Sequence, residues 1–162
     1  MYKNNSTARD KACPIYDNHP YNKTGACPCG DVGQYIDISK IIDAYDKSTC
    51  MSSFIEALNN ISDEKIWFDD EVNTIYMSKN FGGNPESDTL IGRACHCKYY
   101  NHASENFPKH YCKCCAEFCR PIFEPIFGKD VELHMHKTVL SGDNECITAV
   151  KITDMKKLRR NE

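Results

Sequence analysis

The segment Val131–Ile152, VELHMHKTVLSGDNECITAVKI, gives the clearest indication of the fold. Hydrophobic and polar residues alternate from Val131 to Leu140, and a second apolar run extends from Cys146 to Ile152. Such alternation is typical of a strand with one buried face. The residues between the two runs, SGDNE, are turn formers. The segment therefore predicts a C-terminal β-hairpin.

A second hairpin is predicted at residues 64–78. The runs KIWF and TIYM have strand character and are separated by the acidic turn Asp69–Glu71. A helix is the alternative for this segment. Trp67 and Tyr76 could line a ligand pocket, but aromatic residues at this spacing more often belong to the core, so we expect them in the core.

Helical spacing of apolar residues begins after Asp37 and continues to about residue 59. Asp37 is the predicted N-cap, and Asn59-Asn60 the predicted end. Cys50 lies near the apolar face, so we expect it to be a small buried residue.

Residues 111–127 also have helical spacing, but prolines interrupt it. Pro121 predicts either two short helices or one kinked helix, and Gly128 is a suitable C-terminal cap. Cys115 and Cys119 fall on the apolar side of this segment and are expected to be buried.

Together these elements predict a single small α+β domain. We assign residues 1–36 to an irregular N-terminal extension, 37–153 to the cysteine-rich α+β domain with an antiparallel sheet, and 154–162 to a basic tail. The chain has 162 residues, 41% hydrophobic and 27% charged, with a formal net charge of −3. This balance gives no reason to expect nucleic acid or an anionic membrane as the main partner. The first ten residues contain no apolar run, so we expect no secretory signal. No stretch approaches the roughly 18 apolar residues that would cross a membrane, and we therefore predict a cytoplasmic protein. A monomer and a homodimer are both compatible with it.

Cysteine content is the most unusual feature of the sequence. Six of the eleven cysteines, together with three histidines, lie in the 25-residue segment CHCKYYNHASENFPKHYCKCCAEFC at positions 95–119. In a reducing compartment such clusters are more often metal ligands than disulfides. The pairs Cys95-x-Cys97 and Cys112-x-Cys114 could converge on one tetrahedral zinc ion, whose preferred ligands are thiolate and imidazole. Cys146 could bring a further ligand from the hairpin.

Several alternatives remain open around this predicted metal site. Copper(I) suits closely spaced thiolates, and an iron–sulfur cluster is a less suitable fit to the spacing. Cys13, Cys27 and Cys29 form either a second metal site or a loop with free thiols. His134 and His136 share one face of the predicted strand and could reach one metal, but a solvated sheet face is the favoured interpretation.

An open zinc site would activate water, with Glu124 or Glu117 as candidate general base. The more common situation is that each is a surface carboxylate or one that supports the metal ligands.

The order of motifs from Cys95 to Ile152 resembles that of a known group of proteins. A cysteine pair is followed by Tyr-Cys-x-Cys opening a helix, then Phe123-Glu124-x-Ile126-Phe127-Gly128, a strand, a Ser-Gly-Asp turn and Cys146. This order is similar to that of small bacterial domains related to the 4-vinyl reductase-type ligand-binding domain and the L-2-amino-thiazoline-4-carboxylate hydrolase-like family. The resemblance implies an α+β fold with a C-terminal hairpin and metal bound through cysteine. Its site positions would be Cys95, Cys97, Cys112, Cys114 and Cys146. Thr148 departs from the aromatic residue that the family often places there.

Three hypotheses follow from the sequence. The first is a cytosolic domain that holds zinc through thiolates and binds a small molecule in a ligand-binding or sensing function. The second is a zinc-dependent hydrolase acting on a small amide or a cyclic C=N bond, and the third is a protein that handles soft metals or redox chemistry.

Overall fold

In the part of the chain that the structure describes, four antiparallel strands form one sheet, and the helices pack on it. The structure is a computed structural model that describes residues 37–79 and 113–154. The strands run in the order β1-β2-β4-β3, so that β2 and β4 are central and β1 and β3 are edges. Their bounds are β1 Lys65–Asp69, β2 Thr74–Lys79, β3 Glu132–Lys137 and β4 Cys146–Lys151. This arrangement confirms the α+β fold and both predicted hairpins.

Four α-helices and a short 3-10 helix accompany the sheet in the described part of the chain. Their bounds are α1 Ile38–Lys47, α2 Met51–Ile61, α3 Lys113–Glu117, α4 Arg120–Phe127 and the 3-10 helix Val139–Ser141. Helix α2 packs beside β1, α1 lies against α2 and α4, and α3 lies against β3.

The predicted helical segment after Asp37 is two helices rather than one. Asp37 is the N-cap, as predicted, and its carboxylate accepts the backbone N–H of Ser39 at 3.1 Å. The helix ends at Ser48, which adopts an extended conformation, and Cys50 then serves as N-cap of α2. The expectation that Cys50 is buried is wrong: its side chain is exposed. The reason is that an N-cap residue lies outside the helix, so the helical spacing that suggested burial does not apply to it.

The predicted helix end at Asn59-Asn60 is also wrong, because α2 continues to Ile61. Asn59 instead connects the helix to the edge strand β1. Its side-chain amide donates to the carbonyl of Ile66 at 2.8 Å, and its oxygen accepts the N–H of Ile66 at 2.9 Å. The side chain thus satisfies the two outward backbone groups of Ile66, which an edge strand would otherwise leave open to another chain.

The main hydrophobic core lies between the helices and one face of the sheet. Ile75 on β2 pairs with Val150 on β4, and both are fully buried. The helices contribute aromatic rings that meet edge to face: Tyr45 lies 5.1 Å from Phe54 and 5.4 Å from Phe127, centroid to centroid. Edge-to-face contacts of this kind add about 0.5–1.5 kcal/mol beyond the area they bury.

The segment with the two prolines forms two short helices, which is one of the two predicted forms. Pro121 occupies the first turn of α4, where its missing N–H costs no helical hydrogen bond. Gly128 caps the helix with a φ of 93°, a conformation that favours glycine, and its N–H donates to the carbonyl of Glu124 at 2.9 Å. Cys119 is buried between the two helices, as expected, whereas Cys115 is only half-buried.

The connection between β3 and β4 is longer than a tight hairpin turn. A bulge between Met135 and Lys137 interrupts the strand register. Thr138 then caps the 3-10 helix, where its hydroxyl accepts the N–H of Ser141 at 3.1 Å. The carboxylate of Asp143 accepts the N–H of Thr138 at 3.1 Å, which holds the turn against the end of the strand.

Candidate functional site

Most of the predicted metal ligands lie outside the described residues. This applies to Cys95, Cys97 and Cys112, and also to the side chain of Cys114, whose backbone belongs to α3. The cysteines of the N-terminal extension are outside as well. Among the residues at 37–79 and 113–154, no group of three or more His, Cys, Asp or Glu side chains is arranged to hold a metal ion.

Cys146 is the one predicted ligand whose side chain is described. It is half-buried at the first position of β4, directly after the turn. Its sulfur accepts the backbone N–H of Val139 at 3.5 Å. An N–H directed at sulfur favours negative charge on that atom, so the contact suits a thiolate. It equally suits a neutral thiol that fixes the 3-10 helix to the strand.

The two carboxylates proposed as general bases differ in their surroundings. Glu117 is engaged by Arg120: the guanidinium donates to its two oxygens, from Nε at 2.6 Å and from Nη2 at 3.0 Å. Arg120 also donates to the carbonyl of Val131 at 3.3 Å. The hydrogen bonds to Glu117 raise the pKa of Arg120 above its ordinary value. This arrangement ties α3 to α4 and to the residue before β3, and it occupies both oxygens of the Glu117 carboxylate.

Glu124 is half-buried on α4 and adds to the negative potential around Arg120. No metal-ligating group of the described chain surrounds it. The surface or supporting position that we favoured for both glutamates therefore fits Glu117 well and is compatible with Glu124.

A row of rings crosses the face of the sheet that lies opposite the helices. Trp67 on β1 is the register partner of Tyr76 on β2, and their rings stack with centroids 5.4 Å apart and planes 19° from parallel. Tyr76 in turn meets His136 of β3 at 4.9 Å, edge to face. We call these three residues the aromatic row. The expectation that Trp67 and Tyr76 belong to the core is wrong: each is only half-buried and neither packs in the main core.

The contact between Tyr76 and His136 passes over the central strand β4. Strands β2 and β3 both neighbour β4, so they are about 10 Å apart, and the two rings reach across this distance. Ala149, the register partner of Tyr76 on β4, is completely buried although it faces away from the helices. The small side chain of Ala149 leaves room for the two rings to meet over β4.

Charged side chains surround the aromatic row, and most have partners. Glu132 on β3 forms an ion pair with Lys151 at 3.6 Å, and Glu145 accepts a hydrogen bond from the Ser78 hydroxyl. The ammonium of Lys65 lies 5.8 Å from the centroid of the Trp67 ring. No carboxylate within the described residues lies close enough to form an ion pair with Lys65. The exposed side chains of His134 and His136 are at the other end of the row, consistent with the solvated face that we predicted for them.

The aromatic row was missed at the sequence level, although the sequence contains a signal for it. In KIWFD, Trp67 directly follows the aliphatic Ile66, and in TIYMS, Tyr76 lies between the aliphatic Ile75 and Met77. Successive side chains of a strand point to opposite faces of the sheet. If the aliphatic residues face the helices, the neighbouring rings therefore lie on the opposite face. The spacing of Trp67 and Tyr76, taken alone, had suggested that both belong to the core.

Among the described residues outside positions 95–119, Cys50 is the one exposed cysteine. The backbone N–H of Ser53 hydrogen-bonds the Cys50 sulfur and is the main cause of a lowered pKa for this thiol. The Ser53 hydroxyl also accepts the N–H of Cys50 at 3.2 Å. Through these two contacts, Cys50 acts as the N-cap of α2.

Comparisons with known proteins found no matching family model, no matching curated protein and no matching solved structure. Within the described residues, no helix is both long and apolar enough to span a bilayer.

Proposed function

We propose that this chain is a cytoplasmic zinc-binding α+β domain in which cysteine thiolates hold a structural zinc ion, and that the domain binds a small molecule at a separate site. The observation that carries the proposal is the density of soft ligands at positions 95–119, where six cysteines and three histidines occur in 25 residues. Thiolate and imidazole are the ligands that zinc prefers, and four of them close a structural site.

The proposed ligands are two local pairs, Cys95 with Cys97 and Cys112 with Cys114. They are separated by 14 residues, which is a suitable interval for two clips that converge on one ion. Cys146 is the fifth candidate. Its sulfur lies at the start of β4 and accepts the N–H of Val139, a contact that is compatible with a thiolate.

A structural zinc is favoured over a catalytic one by the surroundings of Glu117. A hydrolytic site needs a free carboxylate or imidazole near the metal-bound water. Both oxygens of Glu117 accept hydrogen bonds from Arg120, which leaves Glu124 as the remaining acidic candidate. The order of motifs similar to the 4-vinyl reductase-type ligand-binding domains supports the small-molecule part of the proposal.

Metal analysis combined with unfolding tests the zinc part. Protein purified without added metal is expected to contain about one zinc ion per chain. Because a structural zinc couples binding to folding, a chelator is expected to lower the denaturation midpoint sharply. Metal-free protein of unchanged stability would refute the proposal.

Two matched cysteine variants sharpen this experiment. Cys97→Ser should lose zinc and stability, whereas Cys50→Ser, at an exposed cap, should retain zinc. Cys146→Ser then decides whether the hairpin supplies a ligand. Loss of zinc assigns Cys146 to the site, and full occupancy with slight destabilisation assigns it a structural function that includes the Val139 contact. Equal zinc loss in Cys97→Ser and Cys50→Ser would count against a specific site.

A further inference from the structure

We draw no further inference here: the strongest candidate, the exposed pair of imidazoles from His134 and His136 on β3, carries no metal site because no third ligating side chain of the described residues joins them.

Discussion

The two faces of the sheet are built from the same four strands but are covered in different ways. On the helix side, Ile75 and Val150 are buried beneath residues from three helices, including Phe123 and Phe54. On the other side, the described residues form a row of rings, in which Trp67 stacks on Tyr76 and Tyr76 meets His136 edge to face. The first arrangement buries large apolar area and gives stability. The second leaves half-buried rings and exposed imidazoles, so it contributes less buried apolar area.

The comparison predicts that stability depends mainly on the helix side. Phe123 is fully buried in the main core, so Phe123→Ala should lower the free energy of unfolding by about 3–5 kcal/mol, because truncation loses transfer energy and leaves a cavity. Tyr76→Ala, on the opposite face, should cost clearly less. Chemical denaturation of both variants checks this. Equal losses would show that the two faces contribute alike.

The burial of Ala149 on the second face predicts a steric limit there. Ala149→Leu should destabilise the protein by about 1–3 kcal/mol, the usual cost of overpacking, because the larger side chain separates Tyr76 from His136. Removing one ring should relieve the strain. In a double-mutant cycle, Ala149→Leu combined with His136→Ala is therefore expected to cost less than the sum of the single changes. Strict additivity would mean that the rings do not close over β4.

One side chain of α2, that of Asn59, holds this helix to the edge strand β1. Asn59→Ala should lower stability by about 1–2 kcal/mol, since it removes two hydrogen bonds to the Ile66 backbone. Asn60→Ala is the matched control, because Asn60 is the exposed neighbour on the same helix. Hydrogen exchange of the Ile66 amide should also accelerate in the first variant alone. Similar effects of both changes would attribute the loss to helix propensity rather than to the strand contact.

The smallest expected effect is the coupling within the aromatic row. A double-mutant cycle on Trp67→Leu and Tyr76→Leu should yield a coupling free energy of about 0.5–1.5 kcal/mol, the range for stacked aromatic pairs. Thermal or chemical unfolding of the four proteins measures it. A coupling indistinguishable from zero would indicate that the rings are adjacent without stabilising each other.

Much of the fold could be predicted because local signals and tertiary packing agree. The hairpin at 131–152 shows alternation, turn residues and a second apolar run in sequence, and all three recur in the structure. Asp37 and Gly128 were identified as caps because capping chemistry depends on neighbouring backbone groups rather than on distant contacts.

The errors arose where a long-range contact decided the outcome. Asn59 was interpreted as a helix stop, but a distant strand uses its amide, and nothing local indicates that partner. Cys50 was assigned to a helix face, although the break at Ser48 placed it between two helices. Trp67 and Tyr76 were assigned to the core because hydrophobic rings usually belong there. The alternation of side chains along a strand instead places them on the sheet face opposite the helices.

The candidate site was predicted only in part for a related reason. Cysteine spacing indicates metal binding but does not determine which thiols converge, since that depends on how separate segments are brought together. Cys119 could be assigned to the core from helical spacing, and the structure confirms it. The contact of His136 with Tyr76 depends on the strand order, in which β4 lies between β2 and β3, and no sequence motif specifies that order.

The central claim is that thiolates of this chain hold a structural zinc ion. Zinc-edge X-ray absorption on protein purified without added metal measures the ligand atoms directly. The claim predicts about one zinc per chain with a shell of four sulfur or nitrogen donors, dominated by sulfur at about 2.3 Å. Protein without zinc, or zinc bound mainly by oxygen atoms including water, would contradict it.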